Sequence, residues 1–186
     1  MSIQDVLQRI TSALDHAGIA YMLSGSFASA YYGAARSTQD IDFVIHTTPE
    51  QMQSFLGALP ESEYYADLDF ALEALRRRSM FNVIDQATGW KIDFIVCKSR
   101  PYDAEEFRRR ERVRLHGVSL FMTSAEDAVI SKLEWAKLAQ SQRQVDDVAA
   151  ILRARWETLD RAYLEKWINK LRLSAEWGNA KTVAGI

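Results

Sequence analysis

Residues 23–45 read LSGSFASAYYGAARSTQDIDFVI. A Gly-Ser pair, Gly25-Ser26, closes a short apolar run, and an Ala- and Ser-rich segment then ends at Gly33. Asp40 and Asp42 follow, one residue apart, inside a second apolar run that contains Ile41, Phe43, Val44 and Ile45. In a strand, side chains i and i+2 project to one face. Asp40 and Asp42 therefore point together, while Ile41 and Phe43 point the other way. Adjacent carboxylates repel, and burying even one without a partner is costly. A cation relieves both penalties, and hard divalent ions such as Mg²⁺ prefer carboxylate oxygens and share their shell with phosphates. The competing reading is a partly exposed edge strand with its polar face in water, which an antiparallel sheet allows.

A third carboxylate has a similar setting. In WKIDFIV, residues 90–96, Lys91, Asp93 and Ile95 share one strand face. If this strand lies beside the one carrying Asp42, three carboxylates converge. Such a cluster suits two metal ions about 3.5–4 Å apart, the arrangement used for in-line displacement at phosphorus. One ion then lowers the pKa of an attacking hydroxyl, and the other neutralises charge on a leaving pyrophosphate. Asp93 either holds the first ion or accepts the nucleophile's proton. The rival reading of Asp93 is a solvent-facing aspartate paired with Lys91. Gly25-Ser26 offers a place for phosphate, because glycine lets backbone approach closely and free N–H groups at a helix start favour an anion. Ser26 as a plain N-cap explains the pair equally well.

Working outward, residues 4–17 predict an amphipathic helix on Val6, Leu7, Ile10, Leu14 and Ala17, stopped by Gly18. IAYMLSG predicts a short strand, SFASAYYG a short helix, and residues 41–46 a second strand. Pro49 opens a helix to about Leu59. Residues 62–78 hold a short extended piece and a helix ending in arginines. MFNVIDQATGWKIDFIV predicts a hairpin turning at Ala87-Thr88-Gly89. Pro101 starts a helix through about Arg110, and RVRLHGVSLFM gives two extended pieces broken at Gly117. At Thr123 the character changes: Thr123 with Glu126 reads as a capping box. Val129, Ile130, Leu133 and Ala136 then form an apolar stripe. A helix with Val145, Val148, Ala149 and Leu152 on one face follows, then a third over about 160–171. Beyond Ala175 structure signals are weak. The reading is an α+β core over residues 1–122 and a helical C-terminal subdomain over 123–186, packed on that core.

Gly25-Ser26, then Asp40-Ile41-Asp42-Phe43, then the strand aspartate Asp93, resemble the signature of the nucleotidyltransferase-fold superfamily. The match covers residues 20–96. RSTQDIDFVI resembles an uncharacterised bacterial branch near the AbiEii toxins of abortive-infection systems and the small aminoglycoside-type nucleotidyltransferases. SAEDAVISKLEWAKLAQSQRQVDDVAAIL resembles the helical segment of that branch. The resemblance implies a nucleotidyltransferase fold, a mixed β-sheet flanked by helices, with a C-terminal helical bundle. It implies Mg²⁺ at Asp40 and Asp42, with Asp93 completing the triad, and an NTP triphosphate held by Gly25 and Ser26. Lys132 lies at the edge of its helix's apolar stripe and could reach phosphate; its rival is a surface pair with Glu134 or Asp127. Arg36 is a weaker candidate for the same task.

The rest of the chain narrows the alternatives. It has 186 residues, a formal net charge of -2 and 48% apolar residues, an ordinary soluble composition. That charge argues against a protein whose main task is coating nucleic acid. The arginine runs at 76–78 and 108–114 read as solvated helix ends. No apolar run is long enough for a bilayer, and MSIQDVLQRI lacks the apolar stretch of a signal peptide. Cys97 is the lone cysteine, so a cytoplasmic protein is expected. The histidines lack ligand spacing. Asp85 reads as a turn residue, Asp146 and Asp147 as helix-start charge or a nucleotide contact, and Trp135 and Trp156 as packing or base stacking. The expected activity is Mg²⁺-dependent transfer of a nucleoside monophosphate from NTP to a small molecule, tRNA or protein. The AbiEii resemblance opens a toxin role with a separately encoded antitoxin. A silent nucleotide-binding or regulatory module acting through a protein partner, and a metal-dependent phosphohydrolase, are the alternatives.

Overall fold

The computed structural model describes residues 2–186. The chain forms two compact units: an α/β unit of residues up to Ser24 together with Thr38–Met122, and a helical unit of Gly25–Ser37 together with Thr123–Ile186. A single cut after residue 122 would place Gly25–Ser37 in the other part. Among the described residues, no helix is long and apolar enough to cross a membrane.

In the α/β unit, α1 (Ile3–His16) opens with a capping box between Ser2 and Asp5 and buries Val6, Leu7, Ile10 and Leu14. That spacing is the expected amphipathic stripe. Gly18, at φ 67°, turns the chain into β1 (Ala20–Leu23). β2 (Asp40–His46) is followed by α3 (Pro49–Gly57), whose first turn carries Pro49 beside a Thr48–Gln51 capping box. β3 (Tyr64–Tyr65), α4 (Leu68–Arg77), β4 (Met80–Asp85) and β5 (Lys91–Val96) come next. α5 (Pro101–Arg108) leads to the hairpin of β6 (Glu111–Leu115) and β7 (Val118–Met122). His116 and Gly117 both take positive φ in its turn.

The strands form one seven-stranded sheet in the order β3-β4-β5-β2-β1-β7-β6. β2 pairs parallel with β5, and β1 parallel with β7; the other pairs are antiparallel. The period of two divides the sheet's centre into two faces. Ile41, Phe43, Ile45, Phe81, Val83, Ile92, Phe94 and Val96 occupy one and are all buried. Phe94 stacks on Phe43 at 5.9 Å and on Phe81 at 5.1 Å, and Phe55 of α3 meets it edge-on at 5.2 Å. Each buried phenylalanine is worth about 1.5–3 kcal/mol of transfer free energy. This core fixes the strand register, so it also fixes what stands on the opposite face.

Asp85 is the turn residue that the sequence suggests. Its Oδ1 accepts from the backbone N–H groups of Ala87 (3.0 Å) and Thr88 (3.1 Å), and its Oδ2 from Arg9 (2.7 Å). Both arginine runs are largely accounted for locally. Arg76 and Arg77 pair with Glu73, Arg78 caps α4 in the left-handed region and donates to the Cys97 carbonyl, and Arg108 pairs with Glu105. Arg110 and Arg112 lie over the Phe121 ring at 5.0 and 5.5 Å.

The helical unit contains α2 (Gly25–Tyr32), α6 (Ala125–Ala139), α7 (Gln142–Arg155), α8 (Arg161–Leu171) and α9 (Ser174–Ala184). Two expectations need correction. The N-cap of α6 is Ser124, which accepts from the Asp127 N–H, rather than Thr123. The Thr123 carbonyl instead accepts from the Tyr32 hydroxyl at 2.8 Å, and Glu126 accepts from the Asp160 N–H at 2.9 Å. The segment beyond Ala175 lies in a helix: α9 buries Trp177 and Ala180, and Trp177 lies 6.3 Å from Trp156. α9 lacks a capping hydrogen bond at Leu173 and carries Gly178 inside, so tertiary packing decides it rather than local signals.

Candidate active site

The core face dictates the acid face. Asp40 is the Cα partner of Lys91, and Asp42 of Asp93, across the parallel β2–β5 pair. On the far side Asn82 of β4 partners Asp93. On the near side the Ser24 N–H donates to the Asp42 carbonyl at 2.8 Å. One row across four strand segments therefore reads Ser24, Asp42, Asp93, Asn82. The row beside it carries Asp40, Lys91 and Ile84. Partnered residues of adjacent strands share a face, so the three carboxylates stand on one side, opposite Phe43, Phe94 and Phe81.

Their environments differ. The Asp40 side chain is 57% exposed and that of Asp93 only 7%. Lys91 Nζ sits 2.5 Å from Asp93 Oδ2 and 4.0 Å from Asp40 Oδ1. The hydrogen bond to Asp93 holds the Lys91 ammonium above the ordinary lysine range, against the opposing effect of desolvation. Asp93 Oδ1 is buried and has no hydrogen-bond partner among the described residues. Asp93 is thus paired with Lys91, as the rival reading had it, but it is buried rather than solvent-facing. Among the described residues no group of three or more His, Cys, Asp or Glu side chains is gathered closely enough to hold a metal ion. The donor set nevertheless fits a hard cation: one face, carboxylate oxygens, and one buried oxygen left over. Asp40 is the most exposed of the three.

The helical unit builds a second cluster. Gly25, at φ 60°, turns the chain into α2 in the left-handed region that glycine enters without penalty. The Ser26 hydroxyl accepts from the Arg36 guanidinium, and Arg36 Nε donates to Asp147 Oδ2 at 3.3 Å. Lys132 Nζ donates to the same oxygen at 2.7 Å. Lys132 and Asp147 are 7% and 8% exposed. Lys132 therefore takes neither of the surface partners considered for it. Two cations around one carboxylate leave an excess positive charge in a largely desolvated place. Asp147 does not serve as helix-start charge, because α7 begins at Gln142 and has no acidic residue in its first turn. Asp146 accepts from Gln142 Nε2 at 3.0 Å.

Sequence reasoning missed Asn82 and the bridging role of Asp147. Asn82 was findable: with the hairpin turning after Asp85, residues 84 and 91, then 82 and 93, fall opposite each other. Asp147 carried a weaker signal, sharing a helical face with the apolar Ile151.

Compared with known proteins, the chain matches along residues 2–180 the family described as "Nucleotidyltransferase of unknown function (DUF6036)". The chain belongs to this family. As a DUF6036 member it also resembles solved nucleotidyltransferase structures in fold. The antibiotic-resistance factor ANT(2'')-Ia in its solution structure aligns with a TM-score of 0.58 and 14% identity, covering 90% of each chain. Its complex with adenylyl-2''-tobramycin aligns at 0.50 and 10% identity, covering 94% of this chain and 96% of that one. An antigenic nucleotidyltransferase-like protein from Paracoccidioides brasiliensis aligns at 0.54 and 15% identity, covering 92% and 90%. Comparison with the curated proteins gives no significant match. The fold is therefore the nucleotidyltransferase fold expected from Gly25-Ser26, Asp40-Ile41-Asp42 and Asp93.

Proposed function

We propose that this DUF6036 member transfers a nucleoside monophosphate from an NTP to an acceptor hydroxyl, releasing pyrophosphate. The observation that carries the reading is the in-register pairing of Asp42 with Asp93 on adjacent parallel strands, with Asp40 on the same face and one Asp93 oxygen unsatisfied. Asp40, Asp42 and Asp93 would hold Mg²⁺, one ion or two, and when bound it would supply charge neutralisation at the phosphates and a lowered pKa for the attacking hydroxyl. Asp93 would either hold the first ion or orient the nucleophile and take its proton. Gly25 and Ser26 would offer backbone N–H and hydroxyl groups to phosphate oxygens, as helix starts do. Arg36 and Lys132 would contribute the positive charge that a triphosphate requires, with Asp147 holding both in place meanwhile. Rate enhancement would come from positioning and electrostatics, since in-line phosphoryl chemistry asks little else of a protein.

The acceptor belongs to one of three classes: a small-molecule hydroxyl, a tRNA end or a protein side chain. ANT(2'')-Ia, solved with adenylyl-2''-tobramycin, supports the first. A cytoplasmic toxin role with an antitoxin partner rests on the resemblance of RSTQDIDFVI to the AbiEii neighbourhood. A second reading, a silent nucleotide-binding or regulatory module acting through a protein partner, is favoured by Lys91 already neutralising Asp93.

Incubating the chain with each α-labelled NTP, MgCl₂ and a cell extract separates these readings. Transfer predicts label on one extract component and release of pyrophosphate, both lost in Asp42→Asn. Metal-independent NTP binding without transferred label would sink the enzymatic reading, and release of inorganic phosphate with water alone would point to a phosphohydrolase.

A further inference from the structure

The acid face holds a cation of the chain's own. Lys91 Nζ lies 2.5 Å from Asp93 Oδ2 and 4.0 Å from Asp40 Oδ1. It stands in register with Asp40, one row from the Asp42–Asp93 pair, so backbone pairing directs it there. Like charges in register on neighbouring strands destabilise a sheet. Three carboxylates on one face would repel unless something positive stood among them. Lys91 supplies that charge from a flexible four-carbon stem whose side chain is 41% exposed. Unlike Asp93, it can leave for solvent without crossing a packed core.

Resting on the reading of Asp40, Asp42 and Asp93 as metal ligands, we propose that Lys91 is the resident counter-ion of the cation seat, which a divalent ion must displace from Asp93 in order to bind. While no divalent ion is bound, the ammonium keeps Asp93 and Asp40 from repelling each other and occupies Oδ2 of Asp93. A divalent ion bound at either Asp93 oxygen would stand close to the ammonium, and at so short a range the two positive charges exclude each other. Metal affinity is therefore set partly by the cost of dislodging Lys91.

The test measures Mn²⁺ binding by the full chain, from loss of the free-ion electron paramagnetic resonance signal, together with melting temperature with and without Mn²⁺. The proteins are wild type, Lys91→Met, Lys91→Gln, Lys91→Arg and Asp42→Asn. Removing the ammonium is expected to tighten Mn²⁺ binding about tenfold or more in both neutral variants. The same variants should melt lower than wild type without metal and gain more from adding it. Lys91→Arg should stay within about twofold of wild type, since its charge is kept. Equal or weaker Mn²⁺ binding in Lys91→Met and Lys91→Gln, with binding still lost in Asp42→Asn, overturns the displacement proposal and leaves the ligand reading standing. Mn²⁺ binding undiminished in Asp42→Asn, or undetectable in every protein, overturns both.

Discussion

Replacing Asp147 by alanine tests the electrostatics of the helical unit most directly. Lys132 and Asp147 are both more than nine-tenths buried and 2.7 Å apart. At an effective dielectric of about 20, two unit charges at that distance attract by about 6 kcal/mol gross. Desolvation cancels much of this, so the quantity that matters is what happens to the partner left behind. Arg36 is 21% exposed and can turn toward water. Lys132 cannot, and its ammonium would remain buried with no carboxylate. Breaking a buried pair from one side costs about 3–5 kcal/mol. For a chain of this size each kcal/mol moves the melting temperature by about 2–4 °C, so Asp147→Ala should melt about 6–20 °C lower. Adding Lys132→Met removes the stranded charge and should restore most of the loss, because replacing a buried pair by apolar groups is close to neutral. Thermal melts of wild type, both single variants and the double variant decide the matter. If Asp147→Ala melts with wild type, or the double variant melts lower than both singles, the buried-pair account is wrong.

Further outcomes follow from other contacts. Arg9→Ala should lose about 1–3 kcal/mol in denaturant titrations, because the fully buried Asp85 carboxylate forfeits its 2.7 Å guanidinium partner. Gly33→Ala should cost about 1–3 kcal/mol by the same assay, since its Cβ would stand 2.6 Å from the Ala154 Cβ at a backbone φ of 129°. Burial, and then Asp103 and Glu106, push the Cys97 thiol up from 9.0 to about 11. Iodoacetamide should therefore label native Cys97 far more slowly at pH 9 than the denatured chain. The folded state disfavours the thiolate, so this contribution to stability is whole below pH 9 and is lost as pH rises through about 11. The difference in denaturation midpoint between wild type and Cys97→Ala should shrink across that window.

The α/β unit was largely legible because its signals are local and periodic. Asp40-Ile41-Asp42-Phe43 declares a two-faced strand by alternation alone, and Ala87-Thr88-Gly89 declares the turn that sets Asn82 opposite Asp93. That β2 and β5 are neighbours is a non-local fact, which the sequence reading held only as a condition, and their parallel sense was not anticipated. The helical unit was less legible. α9 has only Trp177 and Ala180 to mark its buried side, and it forms because there is something to pack against. The cap of α6 moved by one residue, since two adjacent hydroxyls, Thr123 and Ser124, both satisfy the local rule and packing around Tyr32 selects between them. The partner of Lys132 was hidden because it lies on another helix, 15 residues away. Charge complementarity across helices has no period to read.

The parallel join of β2 to β5 has a consequence for a chain still being made. Asp42 and Asp93 are separated by α3, β3, α4 and β4, so they cannot meet until that whole excursion has returned to the sheet. A nascent polypeptide that has emerged with Asp42 but not yet Asp93 carries only half of the acid pair on which the proposed transfer rests. On the proposed reading, competence would arrive at one late moment, when the returning strand zips into place, and shorter fragments would lack it.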